Sequence, residues 1–265
     1  MWEWDIIDMG TKDLPCMIDF ILAKTINEKL ALVAHSQGTT QTFIALAKSQ
    51  RPDIGRKISC VCALAPAIYG GSLLDKPYWR FVQSLPRRLY TACFGLHAFM
   101  PVILKMHSLM KERFYGFFGY LMFHFLFDWK DNLWDHNIRS RHLIFSPVYV
   151  SSELMRWWLG KGGFSRRRCI FDEVSDDYKA WYDSKFPPLA IFIPHNDCLT
   201  DGLKLLYRIE KYEPDVQLVA AIHLPEYSHL DVLWAMDVND RVSVHIKRVI
   251  WETAYNKEEK ICPLF

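Results

Sequence analysis

Val33-Ala34-His35-Ser36-Gln37-Gly38-Thr39-Thr40 is the stretch on which the fold turns. Before it, residues 29–34 are an apolar run with Leu30, Leu32 and Val33, predicted as a buried strand. After it, a helix is predicted from about Gln37 to Lys48, with Phe43, Ile44 and Ala47 on one face. A serine at such a junction matches the G-x-S-x-G nucleophile elbow, with Ala34 in the place of the first glycine. The elbow is a tight, strained turn, so its flanking residues must be small for strand and helix to approach each other. Alanine adds only a methyl group. The turn lifts the Ser36 hydroxyl clear of the sheet, and the helix behind it aims the Gln37 backbone N–H at any oxyanion formed on Ser36.

Moving outward, residues 57–65 (KISCVCALA) read as a second buried strand, so strand, helix and strand make a parallel α/β unit. Residues 188–194 (PLAIFIP) and 216–224 (VQLVAAIHL) read as two more strands. Helices are predicted over 202–212 and 240–251. Between Tyr69 and the Pro187-Pro188 pair, glycines and prolines punctuate aromatic segments without a strand signal. The chain therefore divides into a first core part at 1–68, a mostly helical cap at 69–183 and a second core part at 184–265. At the front, Trp2, Trp4 and Ile6 alternate with acids as in a short strand. Asp13-Leu14-Pro15 then opens a helix carrying Ile18, Ile21 and Leu22.

A nucleophilic serine needs a base, and the base an orienting acid. On an elbow fold these follow in the order acid, then histidine, each on a loop after a strand. Asp197 lies in His195-Asn196-Asp197-Cys198, just after the strand at 188–194. His229 lies in Ser228-His229-Leu230-Asp231, just after the strand at 216–224. Asp201 and Asp231 are rival acids, Asp201 being better placed as a helix N-cap. His195, His223 and His245 read as surface or core residues.

Composition narrows the function classes. With 32 Lys+Arg against 30 Asp+Glu the net charge is +2, which excludes a nucleic-acid binder working by bulk electrostatics. The seven cysteines form no C-x-x-C pair, so a structural zinc site is not expected and reduced thiols of an intracellular compartment are. The first residues have neither a basic nor an apolar segment of the kind a signal peptide requires. The uncharged runs at 89–104 and 114–127 have 16 and 14 residues. Both fall short of the ~20 that span a bilayer. Helices lying on a membrane or lipid-droplet surface, or covering an apolar pocket, are expected instead. Arg166-Arg167-Arg168 reads as a solvated face, and the tail Lys257-Glu258-Glu259-Lys260 as a solvated end. Trp157-Trp158 fits either the cap interior or the lining of an apolar pocket.

Four ordered segments resemble the acid-lipase branch of the α/β-hydrolases, which includes lysosomal and gastric acid lipases and fungal steryl ester hydrolases. They are WEWDIIDMGTKDLPCMIDFIL (2–22), AHSQGTTQTFIAL (34–46), HNDCLTDG (195–202) and EYSHLDVLWAMD (226–237). FSPVYVSSELMRWWLGKGGF (145–164) is similar to the fungal members in particular. The resemblance implies an α/β-hydrolase core with Ser36 as nucleophile, Asp197 as triad acid and His229 as general base. It also implies a lipid ester as substrate, water as acyl acceptor, and no metal or organic cofactor. Members of this family carry further strands and a His-Gly loop upstream, the source of a second oxyanion N–H, and residues 1–35 contain no such loop. Two further expectations follow: a truncated, catalytically impaired relative that serves as a lipid-binding or interaction remnant, and an acyltransferase using the same acyl-enzyme.

Overall fold

The computed structural model describes residues 2, 4–144, 148–171 and 179–254. Helix α1 (Ile6–Asp8), a π-helical turn (Met9–Asp13) and α2 (Leu14–Thr25) lead into β1 (Leu30–His35), and α3 (Gln37–Leu46) joins it to β2 (Ile58–Leu64). The connection from β2 to β3 (Leu189–Pro194) carries α4 (Pro77–Ser84), α5 (Arg87–Phe94), α6 (Pro101–Leu109), α7 (Glu112–Phe127), α8 (His136–Ile144), α9 (Ser152–Leu159) and α10 (Phe164–Arg167). Helix α11 (Gly202–Tyr212) joins β3 to β4 (Leu218–Leu224), and α12 (Asp231–Trp234) and α13 (Val244–Glu252) follow.

The four strands form one all-parallel sheet in the order β1-β2-β3-β4, with Val33 opposite Cys62 and Phe192 opposite Ile222. Alternating residues bury both faces, as parallel sheets require. Val61, Ala63, Ile191 and Ile193 pack with Phe43, Leu205 and Ile209 on one side. Cys60, Cys62, Leu64 and Phe192 pack with Val242 and Val249 on the other. The two thiols therefore share one face of β2, and no disulfide links the described cysteines. All four strands run the same way, so the loops after β1, β3 and β4 meet at one edge of the sheet. Ligand sites of open parallel sheets form at that edge.

The front of the chain departs from the sequence expectation. Trp2, Trp4 and Ile6 form no strand; the chain turns into helix at Ile6, capped by Asp5. The Asp5 carboxylate accepts from the N–H of Ile7 (2.8 Å) and Asp8 (3.3 Å), and Asp8 accepts from the Asp5 N–H at 3.3 Å. A reciprocal cap of this kind outweighs three alternating apolar residues. The helix expected to open at Leu14-Pro15 is thus already under way. At the π-helical turn the Leu14 N–H donates five residues back, to Met9. Pro15, which has no N–H to donate, follows that local widening.

At the end of α11, Arg208 and Glu213 form a buried ion pair at 3.0 Å with side chains 4% and 0% exposed. Glu213 also accepts the Trp181 and Tyr182 N–H groups, and the guanidinium lies 3.5 Å over the Trp181 ring. Charges so buried persist because every strong donor and acceptor is matched. Arg168 departs from the solvated reading of its cluster: it donates to the Gly71 carbonyl and, at 2.7 Å, to Asp75. Arg167 sits 5.5 Å over the Trp157 ring. The 257–260 tail lies outside the described residues.

Candidate active site

Ser36 is the residue between β1 and α3, and it takes φ 50° and ψ −116°. Positive φ on a residue with a Cβ is a strained conformation that persists only where its surroundings enforce it. Here the Ser36 N–H donates to Leu64 O at 3.1 Å, and the Thr39 N–H and hydroxyl both donate to Ser36 O. Thr40 donates to Ala67 O at 2.7 Å, locking α3 against the chain leaving β2. A methyl group on Gly38 would meet the Ala34 Cβ at 3.6 Å, ordinary contact. The gap between strand and helix therefore accommodates the methyl group that Ala34 carries in place of a glycine hydrogen. Gln37 is the first helical residue, where the N–H has no partner within the helix.

The structure brings Ser36, His229 and Asp197 into one line. Ser36 Oγ is 2.7 Å from His229 Nε2, and His229 Nδ1 is 2.7 Å from Asp197 Oδ2. The carboxylate accepts, so Nδ1 carries the proton and the bare Nε2 accepts from the serine hydroxyl. Asp197 is fixed by three further bonds, from the N–H groups of Leu199 (2.8 Å) and Thr200 (3.1 Å) and the Thr200 hydroxyl (2.6 Å). Burial pushes its carboxyl upward, but the His229 ring and the Thr200 bonds outweigh burial and hold it below the usual carboxylate range. The rival acids are engaged elsewhere. Asp201 caps α11 through the Lys204 N–H at 2.9 Å. Asp231 accepts from Ser228 N (2.6 Å), Ser228 Oγ (2.8 Å) and Trp134 Nε1 (2.6 Å). His195 and His223 pair with each other at 2.9 Å near the surface.

Four aromatic residues bear on this line; sequence reasoning left three without a role and offered Trp158 the cap interior or a pocket lining. His35 lies against the His229 ring, with centroids 5.0 Å apart. Trp129, just after α7, stacks parallel to His229 (5.8 Å, 7°), and its indole N–H is buried without a hydrogen-bond partner. Trp134 holds Asp231. Trp158 donates to the Gln37 side chain at 2.8 Å and packs on Trp157 and Phe164, so neither tryptophan of that pair lines the cavity below. Only the position of His35 beside the serine offered a sequence signal.

Burial, followed by the neighbouring His229, depresses the His35 pKa from 6.5 to about 4, with the bond to His229 and the Asp197 charge acting the other way. On acidification the unfolded chain therefore takes up this proton before the folded one does. The contribution is fully present above pH 6.5 and is lost as pH falls toward 4. Its full size is ~3 kcal/mol. Urea midpoints at pH about 7 and about 4.5 check this, and His35→Gln should flatten the difference. Equal acid losses in both proteins would trace the effect to another group.

Between α4, α5, α6, α7 and α9 is a cavity of about 430 Å³ with an apolar wall that includes Trp79, Phe99, Met122, Phe127, Met155 and Leu159. Phe127 stacks on Trp129 (4.7 Å) and Trp129 on His229, so rings lead from the cavity wall to the histidine. Among the described residues no cluster of three or more His, Cys, Asp or Glu could hold a metal ion.

A serine on a forced turn after one parallel strand, met by an acid and a histidine from the loops after the next strands but one and two, is the arrangement that distinguishes α/β-hydrolases. The chain is similar to acid lipases of that class. It is 35% identical to Sterol esterase 2 of Saccharomyces cerevisiae over 91% of its own length and 51% of that protein's. It is 29% identical to human gastric triacylglycerol lipase over 95% of its own length and 65% of the lipase. The chain thus spans about half of the one relative and under two thirds of the other. No family model matches it. Among solved structures it resembles a monoacylglycerol lipase from Paleococcus ferrophilus at 13% identity and TM-score 0.46, over 92% of this chain and 76% of that one.

Proposed function

We propose that this chain hydrolyses carboxylic esters of lipids, steryl esters or triacylglycerols, through an acyl-enzyme on Ser36. The observation that carries the reading is the Ser36–His229–Asp197 line, with 2.7 Å at both links. In this mechanism His229 Nε2 takes the hydroxyl proton as Oγ attacks the ester carbon, and the Gln37 N–H stabilises the oxyanion. The oxyanion collapses, the C–O bond to the alcohol breaks, and His229 returns the proton to the departing oxygen. Water, deprotonated by His229, then releases the fatty acid by the same route. Asp197 keeps the imidazole in the required tautomer throughout. No step calls for a metal or organic cofactor.

The apolar cavity supports a long acyl chain or a sterol as the group bound, since each buried CH₂ contributes ~0.8 kcal/mol. In the same reading residues 69–183 form a cap over a core made of 1–68 and 184–265. Its outer face supports work at a membrane or lipid-droplet surface: Phe114, Phe117, Phe118 and Phe125 on α7 and Val102 and Leu109 on α6 are all exposed. No helix among the described residues is long and apolar enough to cross a membrane. Flotation with triolein-phosphatidylcholine emulsions measures contact through this face. Phe118→Ser with Phe125→Ser should lower binding at least ~tenfold, each side chain being worth ~1.5–3 kcal/mol. Unchanged flotation would remove this face from the account.

The function itself is tested with a fluorophosphonate probe and by release of oleate from cholesteryl oleate and triolein. Labelling at Ser36, located by mass spectrometry, together with oleate release is expected. A folded chain that takes up neither probe nor substrate is not an esterase, and a lipid-binding role would then replace the catalytic one.

A further inference from the structure

We propose that His35, the residue before the nucleophile, is a positioning residue that holds the backbone of His229 in place while the side chain of His229 works. This rests on the hydrolase reading above and deepens it. His35 ends β1, and its Nε2 lies 3.0 Å from the backbone oxygen of His229, with the two rings inclined at 48°. A carbonyl oxygen only accepts, so His35 carries its proton on Nε2 and donates it there. Burial keeps the ring neutral near pH 7, leaving it a single N–H, and this bond takes it.

The histidine loop is therefore tied to the elbow twice, by adjacent residues. One tie, Ser36 Oγ to the His229 ring, is broken in each turnover, because its proton leaves and Oγ becomes an ester oxygen. The other, His35 to the His229 main chain, involves no reacting atom and survives that step. It matters most in the acyl-enzyme, when His229 has lost the serine hydroxyl and must still present Nε2 to a water beside the acyl carbon. The far side of the loop has its own anchors, Tyr227 OH to Asp237 at 2.6 Å and Ser228 N to Asp231 at 2.6 Å. His35 supplies the near one, on the side facing the nucleophile.

The test compares His35→Leu, which keeps bulk without a donor, with His35→Gln, whose amide N–H reaches about as far as Nε2. On a soluble p-nitrophenyl ester, His35→Leu should lower kcat by ~10²-fold, the expected effect of misplacing a catalytic group by about 1 Å, and KM should fall with it because the acyl-enzyme accumulates. His35→Gln should restore most of kcat, and phosphonylation rates should follow the same order. Wild-type kcat in His35→Leu, or equal losses in Leu and Gln, overturns the proposal. If His35→Leu does not fold, His35→Asn takes its place: its shorter amide falls short of the carbonyl, so activity equal to that of His35→Gln is the contrary result. A readout independent of activity is the ¹⁵N spectrum of the imidazoles. An exchange-protected Nε2–H signal that vanishes in His35→Gln is expected, and a His35 ring protonated on Nδ1 refutes the bond. A wild-type chain inert to the phosphonate but showing that signal would cost the hydrolase reading and leave the tie standing.

Discussion

Ser36→Ala should abolish ester hydrolysis, with a fall in kcat of ~10⁶-fold, because nucleophile and base act as a unit and the loss of one disables both. What remains would come from substrate binding and the Gln37 N–H alone. The fold should survive. The strain at position 36 is in the backbone, φ 50° and ψ −116°, and alanine inherits it unchanged. The bonds that enforce the turn, Ser36 N to Leu64 O and Thr39 to Ser36 O, are main-chain bonds at residue 36 and remain. The pair of measurements is the thermal midpoint and the rate of oleate release. Activity within tenfold of wild type would mean that another nucleophile acts, and an unfolded variant would mean that the hydroxyl bears structure.

Asp197→Asn should cost ~10⁴-fold in kcat while leaving Ser36 and His229 in place. The aspartate accepts four bonds, two from N–H groups of its own loop, one from Thr200 Oγ and one from His229 Nδ1. An asparagine oxygen can serve the loop donors, which turns the NH₂ group toward Nδ1. The imidazole then places its proton on Nε2, where it faces the serine hydroxyl and cannot accept from it. Phosphonylation of Ser36 should slow in proportion, since it needs the same deprotonation. Loss of less than tenfold would mean that a different carboxylate orients the ring; Asp231, buried with its oxygens taken by Ser228 and Trp134, is poorly placed to do so.

Both predictions draw on residues legible in the sequence. The elbow, the four strands and the positions of Asp197 and His229 declare themselves through local pattern: an apolar run, a turn, a helix, and a loop immediately after each strand. The same locality misled at the front, where Trp2, Trp4 and Ile6 alternate but the Asp5–Asp8 cap decides the conformation. What stayed hidden is long-range. Trp129 reaches a histidine one hundred positions on, and Trp158 a glutamine more than one hundred back. Each sits in a segment so rich in aromatic residues that no periodicity separates inward from outward faces. Arg168 was misread for a related reason, since its partners Gly71 and Asp75 lie far off in the chain.

The bond from Trp134 to Asp231 has a consequence for how this molecule could diversify. The wall of the apolar cavity comes from α4, α5, α6, α7 and α9, whereas Trp129, Leu133 and Trp134 are stitched to the histidine loop, with Leu133 O accepting the Met236 N–H at 2.9 Å. Volume can thus be added to or taken from the cavity through α4, α5 and α6 without touching the stretch packed on His229, whereas α7 carries Phe123 and Phe127, which stack on Trp129. A graft that exchanges α4–α6 and spares α7 and residues 128–134 should reshape the cavity and leave the Ser36–His229–Asp197 line in register.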